Sequence, residues 1–307
     1  MNLSEIEAFL AIVDSQSITK AAETLYLSQS TISHRLKSLE KELETTLIIR
    51  GNGQRTIYLT PKGEEFVQIA RKWAALWRDT QQFKTDQAFS SITVGSADSL
   101  NLYLFSNLYN RILNDQAPIN LQIRTQQCSY NYMLLENREI DIGFTVTQFR
   151  YKNIITTPLL SEPMFLVCRL NSYKPGPIHP SELDPRKELY VAWGSEYQRW
   201  HDYWWNPAIN PYISINAPSF LFNFMRNSDC WSIMPISIAK VFENMGGFEI
   251  HTISEPPPNR ICYKLTHRDG NPENPNGMEI FDGYLKNFLS SEEWIENCNY
   301  SIASSSK

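Results

Sequence analysis

Residues 28–55 hold a dense set of side chains suited to nucleic-acid chemistry. Gln29, Ser30, Ser33 and His34 carry short donors and acceptors. An amide can bond the edge of adenine, and a hydroxyl can bond several base edges or a phosphate. Arg35, Lys37, Arg50 and Arg55 are cations, which hold phosphates without reading sequence, and Gln54 adds an amide beside Arg55. Spacing decides whether these groups share a face. Ile32, Leu36, Leu39 and Leu43 recur at steps of four, three and four. At about 100° per residue they fill a stripe roughly 60° wide on one side of a helix. Ser30, His34, Lys37 and Lys41 point away from that stripe, and Gln29 and Ser33 flank it. Ser28 is a good N-cap, and the free N–H groups of the first turn favour an anion. Taken alone, the helix also fits an ordinary amphipathic helix with a solvated polar face.

The neighbouring elements favour the first reading. A helix over residues 3–15 buries Leu3, Ile6, Phe9, Leu10 and Val13. The run SITKAAETL predicts a shorter helix capped by Ser17 or Thr19, and Tyr26-Leu27-Ser28 makes a short turn. Two helices over such a turn form a helix-turn-helix, whose second helix enters the major groove. Gly51-Asn52-Gly53 suits a hairpin tip between LIIR and RTIYLT. Arg50, Gln54 and Arg55 surround that tip, where they suit phosphates or a minor groove. A solvated surface hairpin is the other reading.

The ordered blocks resemble the N-terminal winged helix of LysR-type transcriptional regulators. They are Phe9, Ser17 to Ala22 (SITKAA), Ser28 to Ser33 (SQSTIS), Leu39 to Leu43 (LEKEL), Leu47 to Arg50 (LIIR) and Leu59 to Gly63 (LTPKG). The family often has proline where Ser30 stands, arginine at His34 and phenylalanine at Ile48, so base preference does not carry over. The resemblance implies a homodimer, paired into a homotetramer, on an imperfect palindrome in double-stranded DNA. It adds RNA polymerase as a further partner.

The chain has 307 residues and net charge −5, a length that favours two domains. The acidic total does not oppose DNA binding, because the relevant charge is local. No apolar run approaches the ~18 residues of a membrane span, and MNLSEIEAFL lacks the pattern of a signal peptide. The expected location is the cytoplasm. Cys128, Cys168, Cys230, Cys262 and Cys298 are scattered, without metal-ligand spacing, and are expected to be free thiols. No metal or cofactor is expected beyond a small-molecule effector.

A long helix is predicted from Pro61 to about Phe83, capped by Thr60. Phe66, Ile69, Trp73, Leu76 and Trp77 line one side of it, more apolar surface than a tether should expose. The family's linker helix pairs with its counterpart here, so these five residues are the expected dimer face. TDQAFSS (85–91) reads as a polar hinge.

After the hinge, ITVGS, LQIRTQ and EIDIGFTV read as strands separated by helices, which implies a parallel sheet flanked by helices. Ligands bind beyond the carboxyl ends of such strands. Ser96, Asp98 and Ser99 follow the first strand, Gln127 and Cys128 the second, and Thr145 the third. The resemblance implies a two-lobed α/β effector domain, like periplasmic solute-binding proteins, with its effector between the lobes. The family's contacts map to Ser96, Ser99, Gln127, Thr145, Trp193 and Phe220.

The expected α/β layout is therefore a winged helix-turn-helix (1–60), a linker helix and hinge (61–90), an effector domain (91–296) and a flexible tail (297–307). Lobe one takes 91–165 and 265–296, and lobe two takes 166–264. No G-x-S-x-G, P-loop, HExxH or G-x-G-x-x-G motif is present, so no enzyme is indicated. His201-Asp202 could be read as an acid/base pair, but an aromatic core around it is the better reading. Trp193, Tyr197, Trp200, Tyr203, Trp204 and Trp205 could also wall the cleft and suit a ring-shaped ligand. The alternative function is a ligand-binding sensory module whose winged helix binds protein rather than DNA.

Overall fold

The structure is a computed structural model describing residues 1–50, 57–84, 90–206, 208, 211–226, 228–271, 274–292 and 294. Gln54, Arg55, most of the hinge, Cys298 and the tail fall outside the described residues. The chain forms two compact units, one of Met1–Ala88 with Asn137–Glu139 and one of Phe89–Glu136 with Ile140–Lys307.

The first unit runs α1 (Leu3–Ser15), α2 (Ile18–Thr24), α3 (Gln29–Glu42), β1 (Ile48–Arg50), β2 (Ile57–Leu59) and α4 (Pro61–Lys84). Each helix start has a side-chain reason. Asn2 and Glu5 form a reciprocal capping box on α1. Ser17 caps α2, and Ser28 accepts the Thr31 N–H at 3.1 Å to cap α3. Ile6, Phe9, Ile12, Ala21, Ile32, Leu39 and Phe66 fill one core. Leu3, Leu10 and Val13 stand at its edge, only half-buried. The Glu40 carboxylate accepts the N–H groups of Leu47 and Ile48 at 2.8 and 3.1 Å, joining the end of α3 to the wing. In the wing, Ile48 pairs with Leu59 and Arg50 with Ile57.

Sheet one of the second unit is built from β3 (Ser90–Ser96), β4 (Ile119–Thr125), β5 (Ile142–Thr145), β6 (Ile154–Glu162) and a late strand. A π-helical turn (Leu100–Leu104) and α5 (Ser106–Asn114) connect β3 to β4, and α6 (Cys128–Glu136) connects β4 to β5. Lobe two begins with β7 (Met164–Arg169). It continues through β8 (Leu189–Val191), α7 (Ser195–Trp204), β9 (Ile213–Ile215), α8 (Leu221–Met225), β10 (Ser232–Pro235), α9 (Ile236–Met245) and β11 (Phe248–His251). The chain then returns through β12 (Arg260–His267) and ends in α10 (Pro275–Ser291). Sheet one has the order β4-β3-β5-β12-β6, and sheet two the order β10-β7-β11.

Sheet one departs from the expected parallel pattern. β3 pairs in parallel with β4 and β5, but β12 is antiparallel to both its neighbours. β12 returns from lobe two and so enters from the opposite end. The lobe boundaries also move. Met164 and Phe165 already pair with β10, and Arg260 already pairs with Glu162. The crossings therefore fall at Pro163 and at residues 256–259, not at 165 and 265. In α10 the buried set is Phe281, Leu285 and Phe288, while Ile280 and Tyr284 stand at its edge. Leu113 is 73% exposed at the end of α5.

Gly63 shows how tightly the wing and α4 meet. The Leu47 carbonyl accepts the Thr60 N–H at 2.9 Å, and the Thr60 hydroxyl accepts the Gly63 N–H at 2.9 Å. A β-carbon on Gly63 would stand 2.1 Å from that Leu47 oxygen. Backbone cannot yield as a flexible side chain can. Gly63→Ala should lower stability by about 1–3 kcal/mol, read from urea denaturation of the first unit.

Candidate nucleic-acid interface and effector cleft

The face of α3 opposite Ile32, Leu36 and Leu39 carries the predicted contacts. Gln29, Ser30, His34 and Lys37 are exposed, and Ser33 and Arg35 are half-buried. The Ser30 hydroxyl lies 2.7 Å from that of Ser28, so the cap and the first polar contact are linked. Arg35 turns toward α1, where its Nη1 donates to the Ser4 carbonyl at 3.4 Å. That bond draws it off the outer face, which leaves Lys37 and Lys41 as its exposed cations. Arg50 closes β1, while Gln54 and Arg55 lie outside the described residues.

The sequence reading missed Tyr26. It is 96% exposed in the turn before α3, with φ of 54°. A non-glycine residue in that left-handed region is uncommon and worth a functional reading. Lys20 is also exposed on α2. The sequence signal for both was their place at a helix-turn-helix junction, not their type.

The apolar stripe on α4 divides. Phe66 is buried against Phe9 with ring centroids 5.3 Å apart, so it belongs to its own core and not to a dimer face. Trp73 is half-buried on that core and stacks on Trp77 at 5.6 Å. Ile69, Leu76 and Trp77 are the exposed members, at 56, 53 and 37%.

In the second unit, β4, β3 and β5 are adjacent and end together. Ser96 stands in register with Thr125 on one side and Phe144 on the other. This brings Ser96, Gln127, Cys128 and Thr145 to one sheet edge, as expected. Their states differ. Ser96 is fully buried, yet its hydroxyl has no hydrogen-bond partner. An unpaired buried hydroxyl costs about 1–3 kcal/mol, which a bound polar group would offset. The Thr145 hydroxyl is already engaged, donating to the Thr147 carbonyl and accepting the Thr147 N–H. Gln127 is exposed and Cys128 half-buried.

The rest of the cleft depends on two residues that the sequence reading missed. Arg260 and Glu162 pair in register where β12 and β6 meet the crossings, with side chains 1 and 0% exposed. Arg260 Nε donates to Glu162 at 2.9 Å, and Nη2 donates to the same oxygen. Nη1 donates to the Ser99 hydroxyl at 2.9 Å. Nη2 also reaches the Ser237 hydroxyl at 3.4 Å, and Glu162 accepts the Ser237 N–H at 3.3 Å. The guanidinium lies 5.3 Å from the Trp193 ring centroid. Ser99 and Trp193 thus meet through Arg260.

Two further contacts cross between the lobes. Asp98 accepts the Ser219 N–H at 3.4 Å, and the Tyr103 hydroxyl donates to the Pro218 carbonyl at 3.4 Å. Burial, with the Asp98 charge second, pushes the Tyr103 phenol up to about 12, so it stays a donor. Phe220, in the same turn as Ser219, is 52% exposed.

Apart from Trp193, the aromatic cluster does not wall the cleft. Tyr197 and Trp205 are buried in the core of lobe two, Trp200 and Trp204 pack on it, and Tyr203 is 78% exposed. His201 is enclosed there, 2.8 Å from the Glu188 carboxylate and only 3.7 Å from Asp202. Burial raises the Glu188 carboxyl, partly opposed by His201. This is a core pair, as the preferred sequence reading held. Among the described residues no helix is long and apolar enough to cross a membrane.

Comparison with known proteins decides the family. The profile described as "Bacterial regulatory helix-turn-helix protein, lysR family" matches residues 3–64, and that of the "LysR substrate binding domain" matches residues 85–276. The chain belongs to the LysR family. A probable RuBisCO transcriptional regulator from Phaeodactylum tricornutum is 31% identical over 194 residues, 61% of each chain. The regulator BenM from Acinetobacter baylyi is 30% identical over 199 residues, 62% of this chain and 64% of its own. The chain spans about half to two thirds of the curated relatives it matches. Among solved structures, full-length CbnR complexed with its target DNA has TM-score 0.65 and 16% identity, covering 94% of this chain and 100% of that one. A full-length OxyR variant from Pseudomonas aeruginosa has TM-score 0.62 and 20% identity, covering 93 and 95%. At these identities the structures show the family's fold. Nothing in the comparisons favours a sensory module without DNA.

The buried pair sets a test. Arg260→Met, which leaves Glu162 buried and unpaired, should cost about 3–5 kcal/mol. The double change Glu162→Leu/Arg260→Met should recover most of that loss. Urea denaturation of the second unit, followed by tryptophan fluorescence, reads both.

Proposed function

We propose that the chain is a sequence-specific transcriptional regulator controlled by a small molecule bound between the two lobes of its second unit. The observation that carries the DNA reading is the polar outer face of α3, held by a buried apolar stripe in a helix-turn-helix of this family. Gln29, Ser30, Ser33 and His34 read base edges, while Lys37, Lys41, Arg50 and Arg55 hold phosphates. Tyr26 and Lys20 join the phosphate contacts. Arg35 serves α1 first and phosphate second.

The active species is a homodimer, paired into a homotetramer, on an imperfect palindrome. Two recognition helices then enter major grooves about one helical turn or a multiple apart. Ile69, Leu76 and Trp77 supply the exposed apolar strip of α4 for a second copy. RNA polymerase is the further partner through which bound protein changes transcription, and the cytoplasm is where these partners meet.

The effector's first contact is Ser96, whose buried hydroxyl supports a ligand with a hydrogen-bonding group. Gln127, Cys128 and Thr145 border it on the same edge. Asp98 and Ser99 follow it on lobe one, and Trp193 and Phe220 face it from lobe two. Because the indole cluster is core, a small polar ligand fits this cleft better than a stacked ring. No resident cofactor is needed.

Three variants test this reading. Lys37→Ala should weaken binding to every DNA about equally and reduce the salt slope by about one. Gln29→Ala should cost roughly 1–3 kcal/mol on the footprinted site and less on random DNA. Equal losses on both would place Gln29 among the phosphate contacts. Trp77→Glu should yield monomers in analytical sedimentation, whereas an intact oligomer would remove α4 from the interface.

A further inference from the structure

Two strands of lobe two bring three metal-ligating side chains together, away from the groups assigned to the cleft. Cys168 on β7 and Glu249 on β11 are direct cross-strand partners. His251 lies two residues beyond Glu249, so strand alternation returns it to the same face. Cys168 Sγ is 3.7 Å from Glu249 Oε1, and His251 Nε2 is 3.1 Å from that oxygen. All three donor atoms lie within 4.8 Å of one another. Cys168 and His251 are 1 and 6% exposed, while the Glu249 side chain is 22% exposed and opens the cluster to solvent.

The imidazole is set as a ligand. Its Nδ1 lies 3.3 Å from the Gly176 carbonyl. A carbonyl only accepts, so Nδ1 carries the proton and the lone pair of the neutral ring is at Nε2. This buried Nε2 makes no hydrogen bond, although the Glu249 oxygen is near. In the neutral ring the Nε2 lone pair faces the Glu249 oxygen 3.1 Å away, an arrangement that a cation between them relieves. A carbonyl on the far nitrogen is the usual support behind a metal-bound histidine.

The other two donors fit the same role. Backbone N–H donors hold the Glu249 carboxylate. The N–H groups of Ser172 and Tyr173 reach Oε1 at 3.2 and 3.4 Å and fix the carboxylate in place. The Cys168 thiol is buried beside that carboxylate, with Sγ 3.7 Å from Oε1.

We propose that Cys168, Glu249 and His251 form a mononuclear site for a borderline-soft divalent transition-metal ion, with zinc-like preference and an open fourth position. Thiolate, imidazole and carboxylate together match such an ion, whereas calcium and magnesium take oxygen sets. Metal–donor bonds of about 2.0–2.3 Å hold tetrahedral donors roughly 3.3–3.7 Å apart, so small shifts of these side chains suffice. Binding forms a metal–sulfur bond and releases the thiol proton to solvent. The ion would tie β11 and the turn at Ser172–Gly176 to β7, the middle strand of sheet two.

The test uses the full, tag-free, reduced chain titrated with Co²⁺ as the probe. The expected result is one ion per chain and a near-ultraviolet sulfur-to-cobalt charge-transfer band that Zn²⁺ abolishes by displacement. Cys168→Ser should remove the band, and Cys230→Ser should keep it. Glu249→Gln and His251→Gln should each weaken Co²⁺ binding by at least about 10-fold, the lower range for loss of a supporting group. Circular dichroism melts of the metal-free variants show whether they fold. Should Cys168→Ser fail to fold, Glu249→Gln decides alone. No band from the folded chain, a band that survives in Cys168→Ser, or unchanged affinity in Glu249→Gln overturns the proposal.

Discussion

The second unit depends on one buried ion pair. Removing two charges from water costs several kcal/mol per ion unless geometry and further hydrogen bonds compensate. Arg260 and Glu162 meet that condition. All three guanidinium nitrogens are engaged, and Trp193 covers the guanidinium face. The pair holds β6 to β12 where both strands leave sheet one, and it gathers Ser99 from lobe one and Ser237 from lobe two. The edges of the cleft are placed by this knot, and Ser96, at the end of β3 in the same sheet, keeps an unpaired hydroxyl.

Much of the first unit was legible because its signals are local. Capping serines, the four-three-four apolar spacing and the Thr60-Pro61 start each act within one turn of helix, and α1 and α3 follow them closely. The polar face of α3 was legible for the same reason. What was not legible depends on partners far along the chain. Arg35 looked like a phosphate contact until α1 supplied the Ser4 carbonyl. Phe66 looked like part of an external stripe until Phe9 covered it. Periodicity gives the face of a helix but not which neighbour claims each part of it.

The second unit shows the same limit at larger scale. Alternating strands and helices predicted the strand-end cluster of Ser96, Gln127, Cys128 and Thr145, because parallel strands paired in register end together. The sense of β12 and the Arg260–Glu162 contact could not be read, since they depend on where the chain re-enters sheet one. Composition misled in one place. The run from Trp193 to Trp205 looked like a binding wall, but a lobe with small sheets needs large side chains to fill its interior, and Tyr197, Trp200, Trp204 and Trp205 do so.

The two lobe crossings are unusually stiff. A single residue, Pro163, separates β6 from β7, and Pro256-Pro257-Pro258-Asn259 leads back to β12. Proline fixes φ, so four of these five positions lack one soft torsion. Asn259 also donates to the Ser161 hydroxyl at 3.1 Å, tying one crossing to the other. The lobes are therefore left with something close to a single mechanical axis. Rotation about such an axis orders little backbone, so little conformational entropy opposes it. A ligand whose contacts differ between two lobe positions by only a few kcal/mol is then enough to reverse their populations.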